Sequence, residues 1–108
     1  MTPNIQTILA AMVERIVAGF KPERIILFGS NARDTAGADS DVDLIIVMPT
    51  IESKRKIRLA IREAVNGMGL SKDILVYTPE EMERYRHLTG SLVRSAWREG
   101  KVLYERVT

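Results

Sequence analysis

Cysteine is absent from this chain, and histidine and tryptophan each occur once in 108 residues. Without thiols there is no disulfide framework, no thiolate metal site and no cysteine nucleophile. A single histidine, His87, cannot form a histidine cluster and reads as a surface or helix-end residue rather than a metal ligand. No apolar run approaches the roughly 20 residues that span a bilayer, and the N-terminus lacks a basic stretch followed by a signal-peptide core. No membrane contact is expected, and the cytoplasm is the expected location. A strong excess of one charge is also missing: 16 Lys and Arg against 14 Asp and Glu leave a net charge of +2, so direct nucleic-acid binding is not expected from bulk charge. Repeats, linkers and low-complexity segments are lacking too. With 45% hydrophobic and 28% charged residues, one domain over residues 1–108 is expected.

What is present is concentrated between Leu27 and Val47. The apolar run Ile25-Ile26-Leu27-Phe28 ends at Gly29-Ser30, and a second begins inside Asp41-Val42-Asp43-Leu44-Ile45-Ile46-Val47. This predicts strand, glycine turn, polar loop, strand. Alternate strand residues share a face, so Asp41 and Asp43 point one way while Val42 and Leu44 point into the protein. Two unit charges about 4 Å apart repel by roughly 4 kcal/mol at an effective dielectric near 20, so such a pair calls for a cation. Oxygen-only ligands suit Mg²⁺ or Mn²⁺. Gly29 lets the backbone approach a ligand closely, and Ser30 adds a hydroxyl to a turn whose N–H groups can cradle phosphate. Metal and phosphate together suggest a nucleotide.

The pattern Gly29-Ser30, ten residues, then Asp41-Val42-Asp43, with Ala32-Arg33 and Ser40 in the gap, resembles the signature of the minimal nucleotidyltransferases of the DNA polymerase β-like superfamily. One departure bears on how the loop meets a triphosphate: the family commonly has Ala-Arg-Gly, and this chain has Ala32-Arg33-Asp34.

Along the rest of the chain, Ile5, Ile8, Leu9, Met12, Val13, Ile16 and Val17 predict a helix over 4–18, opened by Pro3 and closed by Gly19. Strands are predicted at about 24–28 and 42–48, the second closed by Pro49. A second helix over about 52–67 places Ile57, Ala60, Ile61, Ala64, Val65 and Met68 on one face. Its basic residues Lys54, Arg55, Lys56, Arg58 and Arg62 lie mainly on the other, as a solvated face or a contact for an acidic partner or nucleic acid. Gly67 to Ser71 reads as a turn, and Asp73 to Tyr77 as a third strand. Thr78-Pro79-Glu80-Glu81 is a capping box opening a short helix with Met82, Tyr85, Arg86 and His87. Ser91 caps another, with Leu92, Val93, Ala96 and Trp97 as its apolar face and Gly100 at its end; Trp97 is expected in the core or an interface. Val102-Leu103-Tyr104 reads as a terminal strand or extended tail. The expected fold class is α/β (α+β), a small mixed twisted sheet with helices mainly on one side, which the resemblance makes a polymerase β-like nucleotidyltransferase fold.

The resemblance further implies that Asp41, Asp43 and Asp73 are catalytic and hold two Mg²⁺ ions, or Mn²⁺. Asp73, at the start of the third strand, would be the third acid and would take the proton of the attacking hydroxyl. Gly29, Ser30, Arg33 and Ser40 would bind ATP. Larger relatives append a helical domain that holds the acceptor, and none follows residue 108, so another molecule is expected to position it. Minimal members are commonly paired with helical HEPN-type toxins, some of which receive AMP on a tyrosine. The function implied is AMP transfer to such a toxin partner, as an antitoxin. Two alternatives remain beside it: a non-catalytic antitoxin acting by contact, and nucleotidyl transfer to a small molecule or an RNA end.

Overall fold

The structure, a computed structural model, describes residues 5–28, 42–69 and 72–106. Its elements are α1 (Ile5–Phe20), β1 (Arg24–Phe28), β2 (Val42–Val47), α2 (Lys54–Ala64), β3 (Lys72–Tyr77), α3 (Pro79–Tyr85), α4 (Leu92–Glu99) and β4 (Lys101–Glu105). The strands form one mixed sheet in the order β3-β2-β1-β4. β2 runs parallel to β3, and β1 is antiparallel to both β2 and β4. The last apolar run is therefore a paired strand and not a tail.

Strand β2 shows why the sequence folds this way. Leu44, Ile45, Ile46 and Val47 are all buried, because a strand with neighbours on both edges and cover on both faces has no solvent side. On one face, Met12 and Ile16 of α1 and Ile61 of α2 pack with Ile25, Leu44, Ile46 and Ile74. On the other, Met82 of α3 and Val93 and Ala96 of α4 pack on Ile26, Ile45 and Val47. Helices mainly on one side thus describes the two long ones, α1 and α2; the two short ones lie across the sheet. Each buried aliphatic side chain contributes about 1.5–3 kcal/mol relative to exposure, so leaving the second face bare would forfeit several such terms.

Helix ends differ from the sequence expectation in instructive ways. Gly19 does not close α1. The helix continues to Phe20, and Lys21 takes the left-handed conformation at φ 52° before the buried Pro22, whose missing N–H cannot continue the ladder. The second helix is shorter than 52–67: Ser53 caps it by accepting from the Lys56 N–H at 3.3 Å. Ala60, expected inside, is exposed. The capping box is present as expected, with Thr78 Oγ1 accepting from the Glu81 N–H at 3.2 Å and Glu81 Oε1 accepting from the Thr78 N–H at 3.0 Å. Gly100 is required by close approach rather than by its φ of −75°: a Cβ there would lie 2.4 Å from the Ala96 carbonyl oxygen and 2.8 Å from Ile26 Cγ2.

Candidate active site

β1 ends at Phe28, β2 starts at Val42, β3 starts at Lys72, and β4 starts at Lys101, the partner of Leu27. All four strand termini therefore gather at one end of the sheet. There the parallel ladder sets Asp43 of β2 opposite Asp73 of β3, and the antiparallel ladder sets Phe28 of β1 opposite Asp43. Asp43 alternates with Leu44 and shares its face with Ile45 and Val47, while Asp73 shares its face with Leu75 and Tyr77. Both carboxylates thus stand on the α3/α4 side, on neighbouring strands about 4.8 Å apart. Asp43 is half-buried and Asp73 exposed.

Two carboxylates so placed, in a chain without thiols, are a hard-oxygen donor set that fits Mg²⁺ or Mn²⁺. Among the described residues no group of three or more metal-ligating side chains is assembled. Asp41, Gly29, Ser30, Arg33, Asp34 and Ser40 lie outside the described residues, so the expectations that fall on them keep their basis in the sequence.

The sequence reading passed over Phe28. It is half-buried, packs against the second core cluster and sits in register with Asp43, lining the carboxylate end with an apolar ring. The available signal was its place as the last apolar residue before Gly29. Trp97 is neither fully buried nor near this end. It is 39% exposed, with the Arg24 and Arg86 guanidinium groups 5.6 Å and 4.7 Å from its ring centre, an arrangement that contributes by cation–π attraction. It helps line a cavity of about 330 Å³ with Arg24, Val47 and Glu105, at the opposite end of the strands from Asp43 and Asp73. Neither carboxylate lines that cavity. His87 is exposed and lies 3.4 Å from Glu83, in keeping with a helix-end residue.

Residues 8–104 match the nucleotidyltransferase domain family. The chain belongs to that family. A protein of Methanocaldococcus jannaschii named "putative protein adenylyltransferase" is 43% identical over 60 residues, which is 52% of this chain; the match spans only 56% of that relative's length. Two solved structures share the fold. One, a "putative nucleotidyltransferase" from Sulfolobus solfataricus, superposes with a TM-score of 0.66 at 18% identity over 93% of this chain and 79% of its own. The other, from a toxin-antitoxin structure with AMP-PNP, gives a TM-score of 0.57 at 16% identity over 90% of this chain and 73% of its own. In this nucleotidyltransferase domain no described helix is long and apolar enough to cross a membrane.

Proposed function

We propose that this nucleotidyltransferase moves AMP from ATP to a hydroxyl of a partner protein, as a single domain working in the cytoplasm. The observation that carries the reading is the register of Asp43 with Asp73 at the end of the sheet where β1 gives way in sequence to Gly29-Ser30. The name of the archaeal relative supports a protein acceptor, and the toxin-antitoxin neighbour supports a toxin as that acceptor. By family resemblance this would be a tyrosine of a helical HEPN-type toxin, and the chain its antitoxin.

Asp41, Asp43 and Asp73 would hold the divalent ions. When bound, these supply positive charge against the triphosphate and the departing pyrophosphate. The protein's own residues do the rest. The acceptor oxygen attacks the α-phosphorus, the bond from that phosphorus to the β-bridging oxygen breaks, and pyrophosphate leaves with the bonding electrons. Asp73 takes the hydroxyl proton, a role that its exposed position at the start of β3 leaves open to an incoming acceptor. Gly29, Ser30, Arg33 and Ser40 hold the phosphates, so that positioning and charge provide most of the acceleration.

The test is to incubate the chain with ATP, Mg²⁺ and the protein encoded beside it, and to weigh both proteins. A gain of one AMP on the partner that disappears with Asp43→Asn supports transfer. A tight complex with neither mass changed rejects it in favour of neutralisation by contact. A gain on this chain alone, at Tyr77, Tyr85 or Tyr104, also rejects the partner as acceptor.

A further inference from the structure

Helix α2 carries Lys54, Arg55, Lys56, Arg58 and Arg62. Its inward side is set by Ile61, with Val65 one turn on, both fully buried. At about 3.6 residues per turn, Arg55, Leu59, Arg62 and Asn66 fall on one narrow outward stripe, with Arg58 at its margin. All five are exposed, Leu59 by 52%. Lys54 is held by Glu81 at 2.5 Å, but among the described residues Arg55, Arg58 and Arg62 have no carboxylate partner. Beside the stripe lies a groove of about 430 Å³ lined by Leu59, Arg62, Glu63, Asn66 and Lys72. Lys72 opens β3 and is followed directly by Asp73. The groove thus ends beside the edge strand that carries one of the two carboxylates.

Arg62, in the last turn of α2, complements the helix dipole, but Arg55 and Arg58 gain nothing of that kind, and like charges one helical turn apart repel. The same composition, arginine around an apolar centre, is enriched where proteins bind proteins. We propose that the α2 stripe is the docking surface for an acidic face of a partner protein, with an apolar residue of that face seated on Leu59. This rests on the proposed transfer to a protein acceptor and says where that protein is gripped: along α2, beside the β3 edge. Nucleic acid fits less well. No aromatic side chain on the stripe or in the groove offers a base a stacking surface, and Glu63 sets a negative charge among the groove residues.

A labelled Glu-rich peptide with leucines at helical spacing, and a labelled oligouridylate of equal charge, can be titrated with the full chain by fluorescence anisotropy, without nucleotide. The stripe is supported if the chain binds the peptide, if Arg55→Glu/Arg58→Glu/Arg62→Glu weakens binding roughly ten-fold or more, and if Arg84→Glu/Arg94→Glu/Arg98→Glu on α3 and α4 does not. Leu59→Ser, which leaves the charge intact, should also weaken it, and carries the test if the triple variant loses its circular-dichroism spectrum. Equal losses in both triple variants, no binding of the peptide, or tighter binding of the oligouridylate each overturn the proposal. Because ATP is absent, failure here leaves the mass measurement of transfer standing, and failure of transfer leaves this binding result standing.

Discussion

Asp43 and Asp73 stand directly across from one another in the parallel ladder between β2 and β3, 30 residues apart in sequence and on one face of the sheet. Two like charges on adjacent strands are at their lowest energy with a cation between them. Millimolar Mg²⁺ is therefore expected to raise the melting temperature above that in chelator, through a binding contribution of about 2.7 kcal/mol at a hundred times Kd. Asp43→Asn should abolish most of that rise. Identical melting curves with Mg²⁺ and with chelator would mean that the two aspartates hold no ion.

Removing the charge of Asp73 should separate chemistry from folding. The side chain is exposed, so Asp73→Asn should leave stability within about 0.5 kcal/mol of the parent. If it is the base for the acceptor hydroxyl, the rate of AMP transfer should fall by about 10²–10⁴. A variant that transfers AMP at the parental rate would remove Asp73 from the mechanism.

Two glycines should respond in opposite directions to the same added methyl group. Gly100→Ala drives a Cβ toward the Ala96 carbonyl oxygen, Ile26 Cγ2 and the Leu27 carbonyl oxygen, at 2.4, 2.8 and 3.0 Å. Backbone atoms yield little, so a loss of about 1–3 kcal/mol is expected. Gly19 lies inside α1 with nothing within 4 Å of its would-be Cβ, and Gly19→Ala should stabilise by about 0.5–1 kcal/mol. Midpoints of urea denaturation would check both.

Lys21 holds a left-handed conformation, φ 52°, at the end of α1. Its carbonyl accepts from the Arg106 side chain, a contact that a substitution of the Lys21 side chain leaves in place. Relief of the Cβ strain, less the chain entropy of glycine, gives an expected gain of about 0.5–1 kcal/mol for Lys21→Gly. A lower urea midpoint would show that the lysine side chain does more for the fold than its backbone strain costs.

Glu81 should make stability depend on acid. Its partial burial would raise the carboxyl, but the hydrogen bond from Lys54, that from the Thr78 N–H and the Lys54 charge together hold it below its ordinary 4.5. A carboxylate lowered in the folded state contributes fully above its unfolded value, and that contribution is lost as pH falls through the lower folded value. Glu81→Gln keeps a capping-box side chain while removing the charge, so it should cost less than about 1 kcal/mol at neutral pH. The difference should close as pH drops below 4.5. A gap that persists in acid would mean that packing rather than charge is lost.

The part of the candidate site that the structure describes, Asp43 and Asp73 at neighbouring strand starts, was legible because its signals are local. Asp43 and Asp73 each open or nearly open an apolar strand, Gly29-Ser30 follows another, and Thr78 with Glu81 announces a helix start within four residues. The end of α1 was misplaced because Gly19 is the stronger local stop signal, whereas the bond from the Lys21 N–H to Val17 O and the burial of Pro22 fix the real one. The second helical face was legible in principle: Leu44-Ile45-Ile46-Val47 does not alternate, and a strand without alternation is covered on both sides.

By itself the sequence determined where the strands lie to within a residue or so, that Thr78 and Ser91 cap α3 and α4, and which carboxylates sit near strand starts, because capping, alternation and turn chemistry act within a few residues. Only the tertiary structure decided that β3 pairs in parallel with β2 so that Asp73 falls opposite Asp43. It also decided that α3 and α4 cross to the far face, and that Trp97 settles between two arginines instead of in the core. These are contacts between residues far apart in sequence, set by which apolar faces can be buried together, and no local pattern carries that choice.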